Sequence, residues 1–88
     1  MKAAAHHVVL YSRAGCCLCD DAREVLIALR ERHPEAFSIR ELDIDTDDRL
    51  LRAYLERIPV ITIDGEEAFE FFVSPGELER RLGIVRAG

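Results

Sequence analysis

The sequence predicts one α/β domain over residues 1–88, with strands and helices in the order βαβαββα. Short β-branched runs predict the strands, and amphipathic segments of helical period predict the helices between and after them. The dipeptide Asp64-Gly65 marks a hairpin between the last two strands. The first two strands are expected to lie parallel, joined by a right-handed crossover through the first helix. The hairpin then adds antiparallel strands to the sheet.

Composition supports a small soluble unit and excludes several kinds of partner. The chain has 88 residues, of which 49% are hydrophobic, and 12 basic against 17 acidic residues give a net charge of −5. No apolar run approaches the roughly 18 residues that a membrane span needs. The dispersed acidic charge argues against a nucleic-acid partner. A monomer is the default expectation at this size.

The N-terminus and the cysteines bear on the compartment. Met1–Leu10 has a lysine before small apolar residues, as a signal peptide does, but His6, His7 and Arg13 interrupt the apolar stretch. We therefore expect a cytoplasmic protein, with the two histidines at the edge of a strand. The three cysteines all lie between positions 16 and 19, so they cannot staple distant segments as a disulfide framework does.

The first strand and helix come early in the chain. The strand is predicted at Val8–Tyr11 and leads into a loop through Gly15. The helix is predicted from about Cys16 to His33, because Pro34 disfavours helical backbone in the residue before it. The apolar positions of this helix recur at helical spacing: Ala22, Val25, Leu26 and Leu29.

The second strand and second helix are predicted next. The strand alternates from Phe37 to Ile44, with a phase shift near Arg40-Glu41 that suggests a bulge or a frayed end. The acidic residues that follow lack the glycine and terminal glutamate of a calcium loop. They fit a helix N-terminus better, with Asp45 or Thr46 as the cap. The buried face of this helix is expected to consist of Leu50, Leu51, Tyr54 and Leu55.

The C-terminal third predicts a hairpin and a short helix. The hairpin strands are predicted at Ile58–Ile63 and Ala68–Val73. Ser74–Glu77 then has the pattern of an N-cap, a first-turn proline and a capping-box glutamate. Leu78 and Leu82 continue this third helix, which is expected to end near Gly83.

Cys16 and Cys19 form a C-x-x-C pair between the first strand and the first helix. Positions i and i+3 share a helix face, so the two thiols can form a disulfide. The positive end of the helix dipole favours a thiolate at Cys16, the candidate nucleophile, and Cys19 is the candidate resolving thiol. The negative charges of Asp20 and Asp21 oppose a thiolate at Cys16. They predict a dithiol–disulfide couple that is more reducing than the strongest oxidants with a C-x-x-C site.

The cysteine cluster also allows two alternative interpretations. Reduced cysteines can pack as small hydrophobes, and C-x-x-C is also half of a zinc or iron–sulfur knuckle that a second chain could complete. Arg13, or Arg57 if the loops converge, could offset the negative charge near Cys16. Cys17 is assigned no catalytic role and is a candidate for glutathionylation or oxidation, because a disulfide to its immediate neighbour is strained.

Four stretches together resemble the glutaredoxin-like proteins of the thioredoxin-fold superfamily: Tyr11–Asp20, Leu42–Asp45, Arg57–Val60 and Asp64-Gly65. The resemblance covers nearly the whole chain and is closest to the small bacterial group whose loop reads G-C-x-L-C-D. It implies a four-stranded mixed sheet flanked by three helices. It also implies a cis Pro59 beside the cysteines, which leaves the Ile58 backbone free to pair with an extended substrate. An ordinary strand-initiating proline is the alternative.

Three departures from glutaredoxins concern glutathione. Arg13 stands where they usually have a lysine that contacts glutathione, Cys17-Leu18 replaces the aromatic residue of their motif, and Val73–Glu77 replaces their Gly-Gly-Asp turn. An arginine can still hold a carboxylate. Glutathione is therefore expected only as a possible co-substrate.

The sequence thus predicts a thiol–disulfide oxidoreductase that reduces protein or glutathione mixed disulfides through Cys16 and Cys19. Arg13, Ile58 and Pro59 are the candidate substrate-binding residues, and neither a metal nor another cofactor is expected. Electrons would come from glutathione or from a donor of the thioredoxin-reductase type. The alternative is a non-catalytic binding module that holds a metal or iron–sulfur cluster, or docks a protein partner along the Ile58-Pro59 edge.

Overall fold

The computed structural model describes residues 5–84, so residues 1–4 of the N-terminal segment lie outside it. The expected order βαβαββα is confirmed, with one short 3-10 helix added. The elements are β1 (His6–Ser12), α1 (Cys17–Arg32), β2 (Phe37–Asp43), the 3-10 helix (Ile44–Thr46), α2 (Asp48–Tyr54), β3 (Val60–Ile63), β4 (Glu66–Glu70) and α3 (Pro75–Arg81).

The four strands form the expected mixed sheet in the order β2-β1-β3-β4. Strand β1 pairs parallel with β2 and antiparallel with β3, and β3 pairs antiparallel with β4. Tyr11 lies opposite both Leu42 and Val60. The C-terminal ends of β1 and β2 therefore lie at the same end of the sheet as the start of β3, and the cysteine loop leaves β1 there.

The hydrophobic core lies between one face of the sheet and the helices α1 and α3. It is formed by buried residues from all these elements: Val8, Leu10, Ala22, Leu26, Leu29, Phe37, Ile61, Leu78 and Leu82. Tyr11 follows the buried Leu10 and so points to the opposite face, where its ring lies 4.6 Å from that of Tyr54 on α2. The helices thus cover both faces of the sheet.

Helix α2 is shorter and more exposed than the sequence suggests. It contains no fully buried residue, and Leu55, expected on its buried face, follows the last helical residue and is 43% exposed. The prediction that Asp45 or Thr46 caps α2 is wrong, because both residues belong to the 3-10 helix that precedes α2. Asp43 caps that 3-10 helix and Asp47 caps α2, each side chain accepting a backbone N–H bond of 2.8 Å two residues on.

The expected bulge or frayed end near Arg40-Glu41 is wrong. The β1–β2 register is continuous along the whole of both strands. The phase shift arises because a charged residue, Glu41, bonds to Arg23 of α1 at a position where the alternation requires an apolar one. The real irregularity lies in the hairpin, where the pairing shifts between Ile61 and Thr62.

The hairpin turn and the third helix have the expected turn chemistry. Asp64 and Gly65 have φ values of 52° and 88°, as a primed two-residue turn requires. Strand β4 ends at Glu70 rather than Val73. The Ser74 side chain accepts a 3.4 Å hydrogen bond from the backbone N–H of Glu77, which confirms Ser74 as the N-cap of α3.

The two histidines lie at the start of β1, which is a central strand and not an edge strand. His6 Nδ1 lies 2.7 Å from a carboxylate oxygen of Asp64, and the backbone N–H of His7 donates to the other oxygen at 2.8 Å. The Asp64 pKa is lowered, chiefly by the His6 hydrogen bond. This pairing ties β1 to the hairpin turn, at the opposite end of the sheet from the cysteines.

Candidate active site

The loop after β1 places Cys16 at the N-terminus of α1. Gly15 has a φ of 82°, in the left-handed region that glycine tolerates best, and the backbone N–H of Cys16 donates to the Arg13 carbonyl at 3.3 Å. Cys16 is the N-cap residue of the 16-residue helix, with extended backbone. Its sulfur therefore takes the capping role that a serine or aspartate oxygen usually has.

The three thiols differ in exposure. Cys16 is half-buried, Cys17 is exposed and Cys19 is completely buried. The backbone N–H of Cys19 donates a hydrogen bond of 3.2 Å to Cys16 Sγ. This bond and the helix dipole both stabilise negative charge on the Cys16 sulfur. Cys16 is thus the more accessible member of the C-x-x-C pair.

The surroundings of Cys19 hold it as a neutral thiol. Burial raises the pKa of Cys19 to about 12, and a hydrogen bond with Cys16 and the charge of Cys16 add to the rise. Two groups oppose this rise in the Cys19 pKa, namely a hydrogen bond with the Arg13 backbone and the positive charge of Arg23. The pair is therefore asymmetric, with one accessible sulfur and one covered, protonated sulfur.

Arg23 forms an ionic network that the sequence reasoning missed. Its Nε and Nη2 atoms donate to the two carboxylate oxygens of Glu41 at 2.7 and 2.5 Å, and Nη1 donates to Asp20 at 2.8 Å. The hydroxyl of Ser12, which is buried at the end of β1, donates to Glu41 at 2.7 Å. The sequence contained one sign of this network, the shift in the apolar–polar alternation of β2 at Glu41. There a charged residue occupies a strand position that faces the α1 side of the sheet.

The expected substrate-binding residues are separated into two groups. Ile58 and Pro59 lie just before β3, the bond between them is cis as expected, and the Pro59 carbonyl accepts a 2.8 Å bond from the Phe71 N–H. Arg13 lies on the other side, in the cysteine loop, and its Nε donates to Asp45 at 3.0 Å. A glutathione carboxylate would have to compete with Asp45 for this guanidinium.

Arg57, suggested as an offset to charge at Cys16, makes its contacts with β4 and α2. It donates to Glu70 at 2.8 Å and to Glu67, and its guanidinium carbon lies 5.4 Å from the ring centroid of Tyr54. These contacts tie the segment before Pro59 to β4 and α2.

Two exposed aromatic residues lie at the same end of the sheet as the cysteine loop. Phe71 and Phe72 directly follow β4, whose residue Glu70 lies opposite Val60. They are 40% and 70% exposed, and Phe71 has a φ of 68°. An aromatic residue rarely adopts this left-handed backbone. The Phe72 side chain lies largely in solvent.

A polar depression of about 350 Å³ adjoins the cysteine loop and is lined by Arg13, Gly15, Arg23 and Glu41, among others. Between residues 5 and 84 no three His, Cys, Asp or Glu side chains are grouped so that they could hold a metal ion. None of the helices described for this chain is long and apolar enough to cross a membrane.

Solved structures define the class to which this architecture belongs. A protein from Nitrosomonas europaea, solved by NMR in solution, is 24% identical and has a TM-score of 0.74, over 92% of this chain and 95% of that one. A structural-genomics target from X. campestris, solved by X-ray methods, is 29% identical with a TM-score of 0.70, over 90% and 99%. Thioredoxin-2 of the malaria parasite is 18% identical with a TM-score of 0.71, over 94% and 84%.

The mixed sheet, the three α-helices and these likenesses define a thioredoxin-fold protein. Residues 7–83 match the family described as Glutaredoxin-like domain (DUF836), and the chain belongs to that family. The resemblance and the fold class expected from the sequence are thereby confirmed. Fold and family support a redox-type function at this general level.

Proposed function

We propose that the protein is a thiol–disulfide oxidoreductase in which Cys16 and Cys19 reduce a disulfide of a protein or of glutathione. One observation carries this proposal: the N–H of buried Cys19 donates to the half-buried sulfur of Cys16 at 3.2 Å. This bond favours negative charge on the accessible sulfur and holds the second cysteine beside it. Both are requirements of a dithiol that reacts in two steps.

In the first step the Cys16 thiolate attacks one sulfur of the substrate disulfide. A bond forms between Cys16 Sγ and that sulfur, the substrate S–S bond breaks, and the other substrate sulfur leaves as a thiolate. Helix α1 favours the attacking charge, because its N-terminal N–H groups point toward the N-cap position that Cys16 occupies.

In the second step Cys19 attacks Cys16 Sγ. A Cys16–Cys19 disulfide forms, the mixed disulfide breaks, and the remaining substrate thiolate leaves, taking up the proton that Cys19 gave up. The substrate has then gained two electrons and the protein dithiol has lost two. Complete burial keeps Cys19 from external disulfides, so its accessible partner is Cys16.

The remaining assignments complete this proposal. Arg13, Ile58 and Pro59 are the candidate substrate-binding residues, and glutathione or a thioredoxin-reductase-type donor regenerates the dithiol. Neither a metal nor another cofactor takes part, and the protein acts as a monomer in the cytoplasm. The half-buried Ile58, immediately before buried Pro59 and near the cysteine loop, supports the docking of an extended substrate segment.

A redox titration in glutathione buffers tests the proposal. The protein is equilibrated at defined ratios of reduced to oxidised glutathione, acid-quenched and alkylated, and mass spectrometry locates the bonded cysteines. The expected result is one two-electron transition between Cys16 and Cys19, with Cys17 alkylated throughout. A pair that stays reduced in fully oxidising buffer, or a bond that involves Cys17 instead, would contradict the proposal.

A further inference from the structure

We propose that Arg23 is a positioning residue for the resolving step, in which its guanidinium, fixed by Glu41 and Asp20, stabilises the Cys19 thiolate during attack on the mixed disulfide. This inference rests on the proposed function. In the second step the buried Cys19 sulfur has to become an anion, and Arg23 supplies a positive charge that stabilises it.

The placement of Arg23 follows from helix geometry. Arg23 is four residues after Cys19 on α1, so the two side chains lie on the same helix face one turn apart. Cys19 is completely buried, and a buried anion is costly unless a cation or hydrogen-bond donors compensate it. Of the groups that oppose a rise in the Cys19 pKa, Arg23 provides the positive charge and the Arg13 backbone provides the hydrogen bond.

All three guanidinium nitrogens of Arg23 donate hydrogen bonds to two carboxylates. Glu41 on β2 binds the guanidinium through both carboxylate oxygens, and Asp20 on α1 binds the third nitrogen. Ser12 at the end of β1 holds Glu41 in turn. The Arg23 charge is thus fixed between the helix and the ends of two strands. A fixed charge acts on the developing anion without reorganisation at the moment of reaction.

The balance of effects on the Cys19 pKa differs between the free dithiol and the mixed disulfide. In the free dithiol, Cys16 itself raises the Cys19 pKa, both through a hydrogen bond and through its charge. Once the Cys16 sulfur is bonded to substrate it is no longer a thiol or a thiolate, so both effects disappear. Burial then opposes ionisation of Cys19, while the Arg13 backbone and the Arg23 charge favour it.

The groups that face this site come from three elements. Cys16 and the Arg13 backbone face Cys19 from the cysteine loop, whereas Glu41 from β2 and Asp20 from α1 face Arg23. The histidines described lie elsewhere, with His6 and His7 at the far end of β1 and His33 after the C-terminal end of α1. The pH dependence of the second step therefore reports on Cys19.

The test uses Ellman's reagent as the disulfide, with a Cys17→Ser background so that the exposed thiol does not react. Attack by Cys16 releases a first equivalent of coloured thiolate at a rate that depends on reagent concentration. Attack by Cys19 releases a second equivalent at a rate that does not depend on it. Both phases are followed by stopped-flow absorbance from pH 6 to 10 in Arg23, Arg23→Gln, Arg23→Met and Arg23→Lys proteins.

We expect Arg23→Gln and Arg23→Met to slow the second phase about three- to ten-fold at pH 7 and to shift its increase with pH to higher pH. A rise of one unit in pKa lowers the thiolate fraction about ten-fold, and a more basic thiolate is a better nucleophile, which returns part of the loss. Arg23→Lys keeps the charge and should retain most of the rate. The first phase should change little.

Two results would overturn the inference. One is a second phase whose rate is unchanged across the pH range in both neutral variants. The other is an equal slowing of both phases, which indicates a general structural effect. Failure of the proposed function looks different, because the unsubstituted Arg23 protein would then release no second equivalent and form no Cys16–Cys19 disulfide. Thermal melting of each variant identifies any protein that fails to fold, and the remaining neutral variant then decides.

Discussion

The backbone N–H of Cys19 donates to the sulfur of Cys16 at 3.2 Å, so the buried cysteine stabilises charge on its accessible partner while its own thiol stays protonated. Their roles are therefore unequal. The half-buried sulfur can reach an external disulfide, and the covered sulfur can reach only the half-buried one. Loss of Cys16 should therefore stop the reaction, and loss of Cys19 should trap the mixed disulfide.

Cys16→Ser should abolish reduction of a disulfide-bonded peptide, whereas Cys19→Ser should accumulate a mixed disulfide between Cys16 and the peptide. Without Cys19 the nearest thiol is that of Cys17, and a disulfide between Cys17 and its immediate neighbour Cys16 is strained, so the mixed disulfide is not released. Intact-mass spectrometry after acid quenching measures the adduct, and Cys17→Ser is the matched control because Cys17 is exposed and lies between the two partners in the chain. An adduct on Cys17 in the Cys19→Ser protein would be inconsistent with this assignment.

Asp45→Asn should improve the use of a glutathione mixed disulfide. Arg13 Nε is bonded to Asp45 at 3.0 Å, and both side chains are more than 40% exposed. An exposed pair of this kind is worth about 0.2–1 kcal/mol, so its removal should lower KM by a factor of about 1.4 to 5 if Arg13 binds the glutathione carboxylate. Asp48→Asn removes the same charge from the same acidic stretch and controls for net charge. Equal KM values in the two variants would exclude this role for Arg13.

Leu26→Ala should cost about 2–5 kcal/mol of unfolding free energy, because Leu26 is completely buried among core residues of the sheet. The neighbouring Ile27 is 44% exposed, so Ile27→Ala should cost less than about 1 kcal/mol. Urea titrations of the two variants provide the comparison. Similar losses in both would mean that α1 does not present its Leu26 face to the core.

Ser74→Ala should lower the unfolding free energy by about 1 kcal/mol, because it removes the side chain that caps the seven-residue helix α3. Ser74→Asp keeps a carboxylate oxygen at the N-cap and should retain the stability. Urea unfolding of both variants checks this prediction. A loss in the aspartate variant as large as in the alanine variant would argue against a capping role.

The sequence allowed prediction of the elements that local chemistry determines. Asp64-Gly65 and Ser74 are examples, since turn and cap preferences depend on a few neighbouring residues. It did not allow prediction of features that depend on distant partners. The phase shift at Glu41 was visible, but its cause, the Arg23 guanidinium 18 residues earlier in the chain, becomes apparent only when α1 packs against β2.

The same limit applies to the acidic stretch after β2. Any of its aspartates can cap a helix, and the choice of Asp43 and Asp47 depends on where the 3-10 helix interrupts the chain. For the candidate site, residue spacing was sufficient to predict that Cys16 and Cys19 lie next to each other. The pairing of Arg23 with Glu41 could not be identified from spacing, because the two residues lie on different elements.

Glu41→Gln should lower stability at neutral pH and have progressively less effect in acid. The Arg23 hydrogen bonds lower the Glu41 pKa, burial partly opposes this, and the Ser12 hydroxyl adds to the lowering. A carboxyl whose folded pKa lies below the unfolded value of about 4.3 stabilises the fold above that pH and loses the contribution as the pH falls through the folded pKa. Because the Glu41 side chain is 34% exposed, solvent screening limits the gain to about 1 kcal/mol or less.

Urea unfolding from pH 3 to 7 should therefore show a difference between the parent protein and Glu41→Gln that is largest above pH 5 and closes toward pH 3. Glu24→Gln, an exposed change on α1, should differ little from the parent at any pH, and a Glu41→Gln difference that stays constant across the range would rule out the ion pair as its source.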